Sequence, residues 1–183
     1  MEFKRLKEWK DKLHVCIRCG YCYEHCHIFK ITNWESDTPR GKLILLYALL
    51  HEEIEPTDYM ANKIFECFNC GRCDASCSAK VPVTDIFTDV RADFIDGGFD
   101  VKGTLSHINE DLCSKCGICV SICKYEARTL DKEQNKIIID KVKCKSCGGC
   151  EAACPSGAAY IEEGYMVSEK ELLEQVQCYL GGK

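Results

Sequence analysis

The sequence predicts an α+β chain: a helical first half, a second half of short strands set around loops, and a helix at the end. Three observations carry this. Sixteen of the 17 cysteines in 183 residues fall into four copies of one motif. The copies start 51, 46 and 31 residues apart, which divides them into an open pair and a close pair. Around the open pair the apolar residues recur at helical spacing, and around the close pair short β-prone segments flank each copy, with the change near Gly97-Gly98.

The motif reads C-x-x-C-G-x-C-x-x-x-C. Its copies are Cys16, Cys19, Cys22, Cys26; Cys67, Cys70, Cys73, Cys77; Cys113, Cys116, Cys119, Cys123; and Cys144, Cys147, Cys150, Cys154. Three thiolates at three-residue steps wrap a tight turn about one cubane, each reaching a different iron, and the fourth is directed onto a helix away from that turn. Glycine after the second cysteine relieves crowding where the loop passes close to inorganic sulfide. Structural zinc also takes four thiolates, but its usual signature is two C-x-x-C pairs set further apart, without a third cysteine at the next step. A disulfide framework fits a small secreted scaffold, and a chain of this size buries a core without one.

In chain order, residues 2–15 read as a helix before Cys16. Pro39-Arg40-Gly41 precedes a helix over 42–53, apolar all round as a buried helix is. A second helix over 58–66 follows Pro56 and leads into Cys67. After Cys77, Val83-Thr84-Asp85 opens an amphipathic helix over 86–95, with Ile86, Val90 and Phe94 on one face. Strands are expected at 106–109, 128–130, 137–140 and 160–162, and residues 131–135 supply a polar turn. Residues 108–113 align with 139–144 as an internal duplication, each half running strand, cluster loop, short helix, strand. A terminal helix over 168–180 starts at Ser168-Glu169-Lys170-Glu171, a capping box in form. It carries Cys178, the one cysteine outside the motifs, read as a small buried hydrophobe, and an apolar stripe of Leu172, Leu173, Val176, Tyr179 and Leu180 that packs inward or holds a partner.

On these residues, 105–164 resemble a bacterial dicluster ferredoxin domain. The first pair of motifs, with Pro39-Arg40-Gly41 and Val83-Thr84-Asp85-Ile86, resembles the all-helical ferredoxin domain of the iron–sulfur subunits of succinate dehydrogenase and glycolate oxidase and of the heterodisulfide reductase C subunit. Cys154-Pro155-Ser156-Gly157-Ala158 and the helix after it are similar to the C-terminal ferredoxin portion of the heterodisulfide reductase A subunit. The resemblance implies an all-helical dicluster domain over 1–98, a bacterial-type dicluster domain over 99–165 and a C-terminal helix over 166–183. It also implies four 4Fe–4S clusters with crossed ligation. One cluster takes Cys16, Cys19, Cys22 and Cys77, and a second takes Cys67, Cys70, Cys73 and Cys26. A third takes Cys113, Cys116, Cys119 and Cys154, and the fourth Cys144, Cys147, Cys150 and Cys123.

The chain departs from the ferredoxin pattern after the fourth cysteine, where proline is usual. Only Cys154-Pro155 keeps it; His27, Ser78 and Lys124 follow the other three, and their free amides are expected to alter hydrogen bonding to sulfur. His25 and His27 bracket Cys26, and the expectation is that one faces solvent while the other packs beside the site. Lys115, Lys124, Lys143 and Lys145 lie close to the third and fourth motifs and read as solvated surface.

Several classes of function are excluded. Formal charge is −5 with no basic face, so nucleic acid is an unfavoured partner. The longest apolar run, 43–50, has eight residues, against roughly 18 for a membrane span. The start lacks the apolar core of a secretory signal, so a cytoplasmic location is expected. G-x-G-x-x-G, the phosphate-binding G-x-x-x-x-G-K-[ST] and C-x-x-C-H are absent, and no residue is assigned a catalytic role. Sixteen thiolates and four oxidised cores bring the formal charge from −5 to about −13, so a docking partner is expected to be basic.

The reading that follows is an electron-transfer subunit relaying single electrons to or from a large catalytic oxidoreductase subunit, with an upstream donor or acceptor. The resemblance implies a heterodisulfide reductase-type complex or a tungsten or molybdenum pterin enzyme such as class II benzoyl-CoA reductase, in anaerobic metabolism. A free polyferredoxin that shuttles electrons is the alternative, and a zinc-organised interaction module is a third.

Overall fold

The computed structural model describes residues 3–101 and 105–162. The expected terminal helix, and Cys178 on it, lie outside them. The described residues are a mixed structure of helices and two small sheets.

Residues before Cys16 form two helices where one was expected: α1 (Lys4–Glu8) and α2 (Lys10–Val15), broken at Trp9. The break is tertiary in origin. Long helix α8 (Val83–Asp96) crosses here, and its Asp93 carboxylate accepts from the Leu6 amide at 3.0 Å and the Arg5 guanidinium at 2.9 Å. The Trp9 indole donates to Asp89 of the same helix at 2.7 Å. A carboxylate at the first turn of α1 satisfies amides that no intrahelical carbonyl reaches, and Trp9 turns the chain to reach its partner.

Two short helices follow, α3 (Tyr21–Glu24) and α4 (His27–Thr32), then a 3₁₀ turn over Glu35–Asp37. Helix α5 (Pro39–Leu50) begins three residues before the expected start. Thr38 caps it, its hydroxyl accepting from the Gly41 amide at 2.9 Å, and Pro39 occupies the first helical position, where its missing N–H costs nothing. Helix α6 (Asp58–Phe65) is capped the same way by Thr57, and α7 (Arg72–Ser76) precedes α8.

The second half runs β1 (Leu105–Ile108), α9 (Ile118–Ser121), β2 (Arg128–Asp131), β3 (Lys136–Ile139), α10 (Gly149–Ala152) and β4 (Ala159–Glu162). Each expected strand is met to within a residue at either end. The duplicated order is as read from the sequence, but the pairing runs between the repeats: β1 with β4 and β2 with β3, both antiparallel. No parallel βαβ pairing forms among the described residues. Each repeat gives one strand to each two-stranded sheet, so neither repeat closes alone.

One buried cluster runs through both halves, from Leu6, Leu46, Ile64, Phe65, Phe87 and Phe94 on the helices to Leu105, Ala127 and Cys144 beyond. The helical half also buries an ion pair between Lys63 and Asp37, whose side chain is 3% exposed. Lys63→Met leaves that carboxylate buried without its cation. It is expected to cost about 3–5 kcal/mol, read as a fall of roughly 10 °C in the anaerobic thermal midpoint.

Candidate metal centre

The four cysteine loops share one backbone shape. The residue before the second cysteine is left-handed in every copy, with φ of 56° at Arg18, 52° at Asn69, 59° at Lys115 and 50° at Ser146. The glycine after it is left-handed as well, φ 92° at Gly20 and 77° to 78° at Gly71, Gly117 and Gly148. A short helix then starts from each of these glycines. Two left-handed residues around one cysteine turn backbone amides toward a common concavity, a shape suited to an anionic group. The second cysteine of each motif, Cys19, Cys70, Cys116 and Cys147, is the exposed one, and all sixteen described cysteines are free of disulfides.

Two concavities collect thiols from different motifs. One, of about 390 Å³, is lined by Cys16, Cys19, Cys22 and Cys77, with Gly20, Arg40 and Val81. The other, of about 320 Å³, is lined by Cys113, Cys116, Cys119 and Cys154, with Gly117 and Pro155. In each, three cysteines of one motif face the fourth cysteine of its partner. The packing of α3 on α7 and of α9 on α10 brings the motifs together in this way. For the two remaining sets, Cys26 and Cys67 both act on the buried Lys42 ammonium, and Cys123 and Cys144 belong to the shared core.

The residues fit cubane clusters. Each concavity gathers four thiols, and a cubane takes one thiolate on each of its four irons. Buried donors also point to an acceptor: Arg91 Nε and Arg128 Nη1 have no hydrogen-bond partner. The other terminal nitrogen of Arg128 donates to the Ser106 hydroxyl, and that hydroxyl stands 3.1 Å from Cys150 Sγ.

After three of the fourth cysteines the chain makes a turn that needs no proline. Lys80, Glu126 and Gly157, each three residues on, are left-handed. The amides of Val81, Ala127 and Ala159 then donate to Cys77, Cys123 and Cys154 Sγ, all at 3.4 Å. The same donor is present at Cys154, which keeps its proline, so at Cys77 and Cys123 the described bond comes from further along the turn rather than from the Ser78 or Lys124 amide. Cys26 differs, because α4 starts directly after it. These environments tune the thiols: burial pushes Cys22 up to about 11 and raises Cys73 further, while the Ala159 amide and the Ser156 hydroxyl bring Cys154 down to about 7. Cluster binding requires thiolates, so loading releases protons from Cys22 and Cys73.

Pro39-Arg40-Gly41 acquires a physical meaning here. Arg40 Nη1 donates to the Arg18 carbonyl in the first loop at 3.2 Å, and its guanidinium lies 4.9 Å from the Tyr23 ring centre. His25 is exposed, as expected of one of the pair, whereas His27 opens α4 at the surface and not within the site. Lys115, Lys124 and Lys143 are surface residues as expected, but Lys145 donates to the Asn69 carbonyl at 3.3 Å. Lys42, Arg91, Ser106 and Arg128 have no counterpart among the residues singled out from the sequence, and Arg40 entered only as part of a motif. Only Arg91 carried a signal, lying beside Val90 on the apolar face of its helix.

The chain is an iron–sulfur protein with two ferredoxin-type domains. Two family models, both described as 4Fe-4S dicluster domain, match residues 12–81 and 112–158. The methylamine utilization ferredoxin-type protein MauM of Methylobacillus flagellatus is 28% identical over 171 residues, covering 83% of this chain and 62% of the relative. The chain thus spans about three fifths of that relative's length. The probable glycolate oxidase iron–sulfur subunit of Bacillus subtilis is 28% identical over 91 residues, 49% of this chain and 20% of the relative. Indolepyruvate oxidoreductase subunit IorA of Pyrococcus horikoshii is 39% identical over 51 residues, 28% of this chain and 8% of the relative. Both halves of the chain thus share the 4Fe-4S dicluster description, and no described helix is long and apolar enough to cross a membrane.

Proposed function

We propose that this chain is the electron-transfer subunit of a larger oxidoreductase, with four 4Fe–4S clusters held in two crossed pairs by the cysteine sets given above. The domains are read as 1–98, 99–165 and 166–183. The observation that carries the reading is the pair of concavities in which three cysteines of one motif meet the fourth of its partner. When bound, each cluster supplies a site that accepts and gives up one electron.

The chain's own residues do the rest. Left-handed loops place three thiols about each turn, and the amides of Val81, Ala127 and Ala159 stabilise negative charge on the fourth. The helical core keeps water from one side, while the exposed second cysteines leave a face for donor or acceptor. The partner in this reading is a large catalytic subunit, with tungsten or molybdenum pterin or of the heterodisulfide reductase type. The similarity to the glycolate oxidase iron–sulfur subunit supports a role within a complex over a free shuttle.

Anaerobically purified protein is expected to contain about 16 iron and 16 sulfide per chain and to absorb broadly near 400 nm, with the band bleached by dithionite. A colourless protein binding zinc alone would sink the reading. Purification from the native host with no large cofactor-bearing chain would sink its placement in a complex.

A further inference from the structure

Three buried cations stand among the cysteine loops, Lys42, Arg91 and Arg128. Arg91 is the one placed between the two halves of the chain. Projecting from α8, it is 1% exposed. Its Nη2 donates to the carbonyls of Ile64 at 3.2 Å, Phe65 at 3.3 Å and Cys67, and the guanidinium lies 4.9 Å from the Phe65 ring centre. Nε is buried without a partner. Cys67 of the helical half and Cys144 of the stranded half both lie within electrostatic reach of it.

The same seam is tied at a second point. Lys145, next to Cys144, donates to the carbonyl of Asn69, which lies in the loop after Cys67. Asn69 is 4% exposed and holds Thr88 of α8 through its side-chain amide at 2.8 Å. Loops 67–70 and 144–147 therefore meet across α8. Burying a guanidinium costs several kcal/mol unless an anion offsets it. No carboxylate is bonded to Arg91 among the described contacts; three carbonyls and the Phe65 ring surround it. In the four-cluster reading, the ligands at Cys67 and Cys144 supply the missing negative charge.

We propose that Arg91 is a positioning residue for electron transfer between the two halves: its guanidinium is the common countercharge of Cys67 and Cys144, and the seam between their loops is where electrons cross. The inference rests on the four-cluster reading but not on how the fourth cysteines are shared, since Cys67 and Cys144 each open a motif. One electron leaves the centre at one loop as it arrives at the other, and no atom or proton moves. A fixed positive charge favours the more negative, reduced state on both sides. It holds the two centres poised together.

Arg91→Met, Arg91→Lys and Lys145→Gln, purified anaerobically as full chains, test this through iron analysis and redox titration followed by electron paramagnetic resonance. In Arg91→Met two of the four couples are expected to move to more negative potential, each by about tenfold in the reduction equilibrium, or 59 mV for one electron. The other two stay in place. Arg91→Lys, which keeps the charge, restores most of the shift, and Lys145→Gln moves the same two couples by roughly threefold. Arg91→Met with full iron and all couples unmoved, or only one moved, overturns the proposal. If Arg91→Met does not load, Lys145→Gln decides, and unmoved couples there overturn it. Low iron in the unaltered protein would instead count against the four-cluster reading itself.

Discussion

Cys77→Ala combined with Cys19→Ala is expected to lower the iron content from about 16 to about 12 per chain, whereas Cys77→Ala combined with Cys70→Ala lowers it to about 8. The losses of iron add site by site. Cys77 and Cys70 belong to one motif, but Cys77 lines the concavity of Cys16, Cys19 and Cys22. If Cys77 serves that set, removing it together with Cys19 empties one site, and removing it together with Cys70 empties two. Ligation within each motif predicts the reverse, about 8 and about 12. Iron and sulfide analysis of the two double variants separates the schemes without reference to activity. The same design applies to Cys154 with Cys116 or Cys147, because Cys154 lines the concavity of Cys113, Cys116 and Cys119.

Gly41→Ala is expected to destabilise the helical half by about 3 kcal/mol, seen as a fall of roughly 10 °C in the thermal midpoint, and to loosen the first cluster loop. A β-carbon at Gly41 would stand 2.1 Å from the Glu35 carbonyl oxygen, with Ser36 Cα at 3.0 Å. Both are backbone atoms of the turn that delivers Thr38 to its capping position, so neither a rotamer change nor a small side-chain shift relieves the clash. Moving α5 away from the turn withdraws Arg40 from the Arg18 carbonyl. Gly98→Ala makes the contrast. Gly98 has φ 76° with nothing within 4 Å of a β-carbon, so only the left-handed strain applies, about 1 kcal/mol. Equal losses in the two variants would remove the close approach as the reason for glycine at 41.

The helices over 58–66 and 86–95 and all four strands were legible because their signals are local: a proline before the first turn, apolar residues at spacing 3 and 4, and β-branched runs between polar turns. The break at Trp9 was not legible. Residues 2–15 carry a continuous helical pattern, and what interrupts it is a pair of carboxylates, Asp89 and Asp93, some 80 residues away. The partnering of β1 with β4 was hidden for a similar reason, since a strand's pattern states which face is buried and not which edge it meets.

What the sequence determined by itself is the chemistry: sixteen thiols at fixed three- and four-residue steps, with a glycine where each loop must turn left-handed. Such spacing is covalent, and it constrains which atoms can surround one centre whatever the rest of the chain does. Tertiary structure alone decided where charge lies around those centres. The sequence does not set Lys42 or Arg128 apart as a charge beside a centre, and Arg91 only by its place next to Val90, yet each is no more than 3% exposed. Their burial depends on which helix crosses which loop, and the strength of a charge depends on the water excluded around it, a property that no local pattern of residues encodes.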